Sequence, residues 1–320
     1  MRIFVTGASG WIGSAVVPEL LGAGHEVVGL GRSAASARRL EAAGVTVQRG
    51  DLDDLDGLRD AAKSADGVIH LAFRHDLLYA GDMAGAAVVD RRAIEVVGDA
   101  LAGSDRPFVI ASGVFGIAPG QVVTERDGVK AADDTDGPIE GAADRMANAR
   151  YTASLASRGV RSSVVRLPPT CHGDGDNGFM SILVGVARDR GVSGYIGDGS
   201  ARWPATHRLD VARAFCLALE KAPAGSTLHA VAEEGVAGRD FAEVIGRKLN
   251  ITVVPISPED APGHFGFLGF LLPMDSPASS EYTREVLGWE PTGPSLLEDL
   301  AQDHYYRQRS TQDEAGGEVR

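Results

Sequence analysis

Thr6-Gly7-Ala8-Ser9-Gly10-Trp11-Ile12-Gly13 carries the sharpest chemical signal in the chain, three glycines at intervals of three behind an apolar run. With 41 glycines in 320 residues, chance alone produces that spacing about 0.6 times. Context therefore decides. The glycines follow Arg2 to Val5 and open an amphipathic helical stretch. In that setting Gly7 permits a tight turn and Gly10 lets the backbone approach a pyrophosphate. Gly13 lets the helix pack close to the strand, and the helix N-terminus attracts the phosphate charge. Ser9, Trp11 and Ile12 supply the intervening backbone. A dinucleotide is the ligand such a turn takes; a bare structural turn is the plain alternative.

The end of the second strand-like run reads Gly29-Leu30-Gly31-Arg32-Ser33, with no carboxylate at its tip. A carboxylate there would accept from an adenosine ribose 2′-OH, whereas Arg accommodates a 2′-phosphate. Arg32 offers a charge-assisted fork and Ser33 a hydroxyl. NADP(H) is expected over NAD(H), unless Arg32 is a solvated surface cation. A metal is not expected. Asp174-Gly175-Asp176-Asn177-Gly178 resembles a calcium loop, but its twelfth position is Gly185 rather than Glu, and no helix carries His pairs at ligand spacing.

These groups need a scaffold. Arg2 to Thr6, Glu26 to Leu30, Val45 to Gln48, Gly67 to Ala72, Pro107 to Ala111 and Ser162 to Leu167 are short runs rich in Val, Ile or Leu. Helical patterns separate them: Trp11 to Ala23, Ala34 to Ala43, Asp54 to Ala65, Asp82 to Ala102 and Ile139 to Ser157. Runs apolar on both faces with helices between them predict a Rossmann-type, doubly wound parallel α/β sheet. Pro18 should bend or shorten the first helix. After Leu167 the texture turns Gly- and Pro-rich. Leu209 to Lys221, Gly238 to Leu249 and Ser279 to Leu287 are further helices, and Ser226 to Ala232 a strand. The expected division is a cofactor domain over 1–170, rejoined by 208–232, and a smaller substrate lobe over 171–207 and 233–310. The last ten residues, 311–320, are expected to be a disordered tail.

Composition narrows the partners. Thirty-one Lys and Arg against 44 Asp and Glu give a net charge of −13, which disfavours nucleic acid and anionic membrane. Two cysteines, Cys171 and Cys216, cannot build a disulfide framework. No run reaches the roughly 18 apolar residues of a membrane span, and the N-terminus starts directly with strand-like sequence. A cytoplasmic address is expected.

Beyond the glycine turn, several segments resemble the extended short-chain dehydrogenases/reductases, which include the NAD-dependent epimerases/dehydratases. Gly50-Asp51-Leu52 resembles the family's adenine-contacting motif. His70-Leu71-Ala72, followed by Phe73, resembles the strand-four segment under the cofactor. Arg166-Leu167-Pro168-Pro169 resembles the turn near the nicotinamide. Gly197-Asp198-Gly199, Arg202-Trp203-Pro204 and His207-Arg208-Leu209-Asp210-Val211-Ala212 resemble the segment where the substrate lobe rejoins the sheet. The resemblance implies cofactor contacts from Asp51, Leu52, Leu71, Ala72, Phe73 and Pro168. It also implies a homodimer packed through the Asp82 and Ile139 helices.

The same resemblance exposes a gap. These enzymes protonate a carbonyl with the Tyr of a Tyr-x-x-x-Lys pair beside a Ser or Thr. Ser112 matches the hydroxyl residue, but the Tyr and Lys positions fall near Glu140 and Asp144, and Tyr151 is followed four residues later by Leu155. Asp90 stands where a helix Asn is common. Other groups must then carry the proton. His75, beside Asp76, would lie near the nicotinamide by the fold analogy, and an imidazole is a natural general acid; a surface His–Asp pair on a loop is the alternative. His172 is the reserve acid. Asp76, Arg145, Arg202 and His207 are candidate substrate contacts, Arg145 for an anionic group. The first expectation is an NADPH-dependent reductase of a small carbonyl or imine with a non-standard proton donor. A redox-silent NADP-binding sensor is the second, and a sugar-nucleotide epimerase/dehydratase the third.

Overall fold

Strands that are buried on both faces end up side by side in the middle of the molecule. In the computed structural model, which describes residues 1–129 and 142–307, β1 (Arg2–Thr6) is followed by α1 (Gly13–Gly22), β2 (Glu26–Gly31), α2 (Ala34–Ala42), β3 (Thr46–Arg49) and α3 (Leu55–Ser64). Then come β4 (Gly67–His70), a short α4 (His75–Tyr79), α5 (Met83–Leu101), β5 (Pro107–Gly113), α6 (Ala142–Ser154), a 3-10 turn at Leu155–Arg158 and β6 (Arg161–Leu167). Local chemistry marks the helix starts. Ser33 and Ser36 form a capping box on α2, Asp54 accepts from Gly57 N–H at α3, and Asp82 accepts from Gly85 N–H at α5.

The second half adds β7 (Thr170–His172), α7 (Phe179–Arg190), β8 (Val192–Ile196), β9 (Arg202–His207) and α8 (Arg208–Lys221). It continues with β10 (Ser226–His229), β11 (Glu233–Ala237), α9 (Gly238–Leu249), β12 (Thr252–Ile256), α10 (Ala261–Phe265), α11 (Leu268–Leu271), α12 (Glu281–Leu287) and α13 (Leu296–Leu300), with a 3-10 turn at Asp303–Tyr305. Seven strands form one sheet in the order β10-β6-β5-β4-β1-β2-β3, every pair parallel. The chain winds outward from β1 to β3, then reverses through β4. The reversal opens a crevice at the carboxyl ends of β1 and β4, where doubly wound folds bind ligands.

Both faces of the sheet are covered. On one side Val16 and Leu20 of α1 meet Val211, Phe215 and Leu219 of α8 over Ile3, Val5 and Trp289. On the other, Leu58 of α3 and Ile94, Val97 and Leu101 of α5 cover Phe4 and Phe108. Each such side chain contributes about 1.5–3 kcal/mol when fully buried. The remaining strands make two small sheets, β11-β9-β7 and β12-β8. A third cluster built on Met180, Leu183, Trp203, Phe241, Ile245 and Phe265 packs around them.

Some boundaries differ from expectation for tertiary reasons. β4 stops at His70 instead of Ala72 because Leu71 and Ala72 turn beneath Gly7. The expected strand over Ser226 to Ala232 divides: His229 still pairs with Arg166, but Ala232 N–H donates to Ala205 O in the small sheet. Pro18 sits inside α1, which runs through it from Gly13 to Gly22. Residues 139–141 of the expected Ile139 helix and the expected tail at 311–320 lie outside the described residues. Among the described residues, no helix is long and apolar enough to cross a membrane.

Candidate active site

The glycine-rich turn occupies the crevice at the end of β1. Gly7 adopts φ +69°, and a Cβ there would stand 2.6 Å from Ala72 N. A Cβ on Gly13 would stand 2.1 Å from Gly7 O, so the two glycines let β1, α1 and the end of β4 meet at backbone distance. Gly10 N–H closes the turn onto Gly7 O at 2.9 Å. The N–H groups of Trp11 and Ile12 have no acceptor among the described residues, and no side chain caps α1. Unpaired donors at the positive end of a helix form an anion site. Trp11 ties the turn to the far side of the crevice: its indole donates to Cys171 O at 3.0 Å. Arg208 stacks 4.3 Å above its ring. Burial lowers the pKa of Arg208, and Asp174 opposes that shift. Ser9 is half-buried in the same turn.

Beneath the turn runs a buried polar chain. Thr6 Oγ1 lies 2.8 Å from His70 Nδ1, and His70 Nε2 lies 3.0 Å from Asp90 Oδ1. Asn148 Nδ2 donates to Asp90 Oδ2 at 2.8 Å and to Ala87 O at 3.0 Å. Thr6 Oγ1 also accepts from Ala72 N–H at 3.2 Å. The chain links β1, β4, α5 and α6, and it explains the carboxylate at 90. Two donors, from His70 and Asn148, converge there, and a carboxylate accepts both while an amide accepts only one.

Arg74 and Asp76 form an ion pair after β4. Arg74 grips Asp76 through three contacts of 2.8–3.1 Å and Asp53 at 3.0 Å. The Arg74 hydrogen bonds hold the Asp76 carboxyl down at about 2, so it stays ionised and cannot shuttle protons near neutrality. His75, between them in sequence, lies at the start of α4, exposed to solvent yet crowded by the crevice wall. Burial first, and then the positive charge of Arg145, lower its pKa below the usual 6.5. The ring of Phe73 joins them. His75 meets it edge-on at 5.5 Å, and the Arg145 guanidinium lies 4.3 Å from its centroid. Arg145 is partly buried, which lowers its pKa, and it has no ion pair among the described residues. It stands beside the gap noted in the sequence. Glu140 lies outside the described residues, and of Asp144 only the helical backbone is described.

Ser112 sits near the end of β5, buried, in register with Arg166 of β6. Arg32 is exposed at the end of β2 without an ion pair among the described residues, close enough to Asp76 for its charge to be felt there. The Ser33 hydroxyl caps α2, and Arg49 donates to Ser33 O at 2.8 Å. Asp51 accepts from the N–H groups of Asp53 and Asp54, Leu52 is buried, and Pro168 follows β6.

Three expected site residues have partners of their own. His172 is fully buried, its Nδ1 is 3.0 Å from Asp299 Oδ2, and a diffusing substrate cannot touch it. Arg202 is bound to Asp275 through contacts of 2.9 and 3.0 Å, because the β9 start and the 273–278 segment converge there. His207 packs edge-on against His172, ring centroids 5.5 Å apart. Asp176, from the calcium-like loop, accepts from Gly178 N–H and from the Tyr305 hydroxyl. Arg208 and the Thr6–His70–Asp90–Asn148 chain received no role from the sequence, though His70 and Arg208 both lie inside family-like segments. Tyr151 faces α5, with the Arg91 guanidinium 3.8 Å from its ring centroid. Tyr151→Phe is therefore expected to leave turnover unchanged and stability within about 0.5 kcal/mol. Steady-state kinetics checks this, and a large loss of turnover would return the tyrosine to the chemistry.

Known proteins resemble this chain in sequence and fold. The profile of the NAD dependent epimerase/dehydratase family matches residues 3–231. An uncharacterized protein of Schizosaccharomyces pombe is 47% identical over 307 residues, covering 96% of this chain and all of that one. An uncharacterized protein of Saccharomyces cerevisiae is 42% identical over 302 residues, covering 94% and 98%. Among solved structures, a double mutant of the dTDP-glucose 4,6-dehydratase of Streptomyces venezuelae, solved with NAD, superposes with a TM-score of 0.73. It is 20% identical, covering 96% of this chain and 97% of that one, a likeness in fold.

Proposed function

The chain belongs to the NAD dependent epimerase/dehydratase family, and on that premise we propose that it is an oxidoreductase that uses NADP(H) to reduce a small carbonyl or imine, with His75 as proton donor. The observation that carries this reading is the convergence on Phe73: an imidazole on its edge and, on its face, a guanidinium with no ion pair among the described residues. The crevice fits the cofactor. Gly7 and Gly13 leave no room for side chains, the Trp11 and Ile12 N–H groups and Arg208 suit a pyrophosphate, and Arg32 suits a 2′-phosphate. A bound nicotinamide supplies the hydride. The protein's part is to hold the acceptor oxygen or nitrogen at the Ser112 hydroxyl, to neutralise negative charge with Arg145, and to deliver a proton from a ring nitrogen of His75.

Arg32→Ala is expected to weaken NADPH binding about ten- to a hundredfold, the worth of a charge-assisted pair of roughly 1.5–3 kcal/mol, while NADH binding barely changes. Fluorescence titration with both cofactors checks this; equal affinity for NADPH and NADH in the unmutated protein would place Arg32 in solvent. A panel of carbonyls and imines, followed by NADPH oxidation, then tests the chemistry. No oxidation with any of them, despite NADPH binding, would favour the redox-silent sensor. A sugar-nucleotide substrate is the second reading, favoured by the likeness to the dTDP-glucose dehydratase along 96% of this chain. Against it, Arg202 is paired with Asp275, so a diphosphate there would also meet that carboxylate's charge.

A further inference from the structure

At the opposite end of the large sheet from the crevice, three donors of different chemistry meet. His25 immediately precedes β2, and Cys216 and Glu220 lie one turn apart on α8. Their ligand atoms all fall within 4.8 Å of one another, and His25 Nε2 is 3.1 Å from Glu220 Oε1. We propose that His25, Cys216 and Glu220 form a binding site for a thiophilic divalent cation of the zinc type.

The donor set suits that ion: imidazole nitrogen, thiolate sulfur and carboxylate oxygen, with a water as the fourth ligand. Metal–ligand bonds of about 2.0–2.3 Å in a tetrahedron require ligand separations of roughly 3.3–3.8 Å, so side-chain adjustment of about an ångström closes the site. His25 Nδ1 faces Met1 N at 3.4 Å, which leaves Nε2 as the nitrogen turned to the other two. Cys216 is 5% exposed and the His25 side chain 7%, while the Glu220 side chain, at 34%, forms the entrance. Burial pushes the Cys216 thiol up to about 12, so it is protonated until a cation arrives and releases that proton to solvent. Without a cation, the His25–Glu220 contact is an ordinary partly exposed pair and Cys216 an ordinary core thiol.

Cobalt(II) chloride added to the reduced, chelator-treated full chain tests the site. One equivalent should bind, with a near-ultraviolet thiolate-to-cobalt band and tetrahedral visible absorption, and zinc chloride should abolish both. Cys216→Ser should lose the near-ultraviolet band, and His25→Ala should weaken cobalt binding by about tenfold or more, a difference of at least ~1.4 kcal/mol. Should Cys216→Ser fail to fold, the unmutated protein still decides. Zinc should slow alkylation of Cys216, mapped by peptide, about tenfold while leaving Cys171 unaffected. No cobalt binding, no thiolate band, or zinc-indifferent alkylation of Cys216 would overturn the proposal.

Discussion

His75→Ala is expected to lower turnover by about 10²–10⁴-fold, the usual worth of a general acid, while leaving NADPH affinity nearly unchanged. The pH profile supplies the sharper check. A general acid works in its protonated form, so activity should fall as pH rises through the His75 pKa. Crowding by the crevice wall, and then Arg145, place that pKa below 6.5, so the falling limb should lie on the acid side of neutrality. Removing the neighbouring charge in Arg145→Met should move the limb upward, and His75→Ala should abolish it. Ser112→Ala should have the smaller effect, because it removes one neutral hydrogen bond. Steady-state rates across pH 5–8 with a saturating carbonyl or imine substrate would show this. A limb that survives His75→Ala, or unchanged turnover, would assign the proton to another group.

Asp90→Leu is expected to destabilise the fold by about 2–5 kcal/mol, because it strands the donors of His70 and Asn148 in a buried site. That is about two to four decades in the folding equilibrium. Asp90→Asn restores the amide common in the family but accepts from only one of the two donors, so its loss should fall between Asp90→Leu and the unmutated protein. Urea unfolding of the three proteins gives the comparison. If Asp90→Leu were as stable as the parent, the buried chain would have no role in holding β4 beneath the glycine turn. The experiment also separates structure from chemistry, since none of these residues opens onto the crevice.

Much of the scaffold was legible because it is local. Apolar runs of strand length, separated by helical patterns, already imply parallel strands covered on both faces. The glycine turn was legible for the same reason: Gly7, Gly10 and Gly13 act within one strand–helix junction, where positive φ and absent Cβ atoms are properties of single residues. Partnerships were not legible, because a side chain's type says nothing about which distant atom will meet it. Nothing around Arg202 announced that the fold would bring Asp275, 73 residues away, into its fork. His172 looked like an acid until Asp299, 127 residues away, and full burial removed it from solvent. Cys216 and Glu220 lie one helical turn apart, but His25 is almost two hundred residues away, and α8 had to pack beside the start of β2 before it joined them. Residue chemistry and short-range geometry belong to the sequence; desolvation and long-range pairing, which set charge and access, belong to the packed chain.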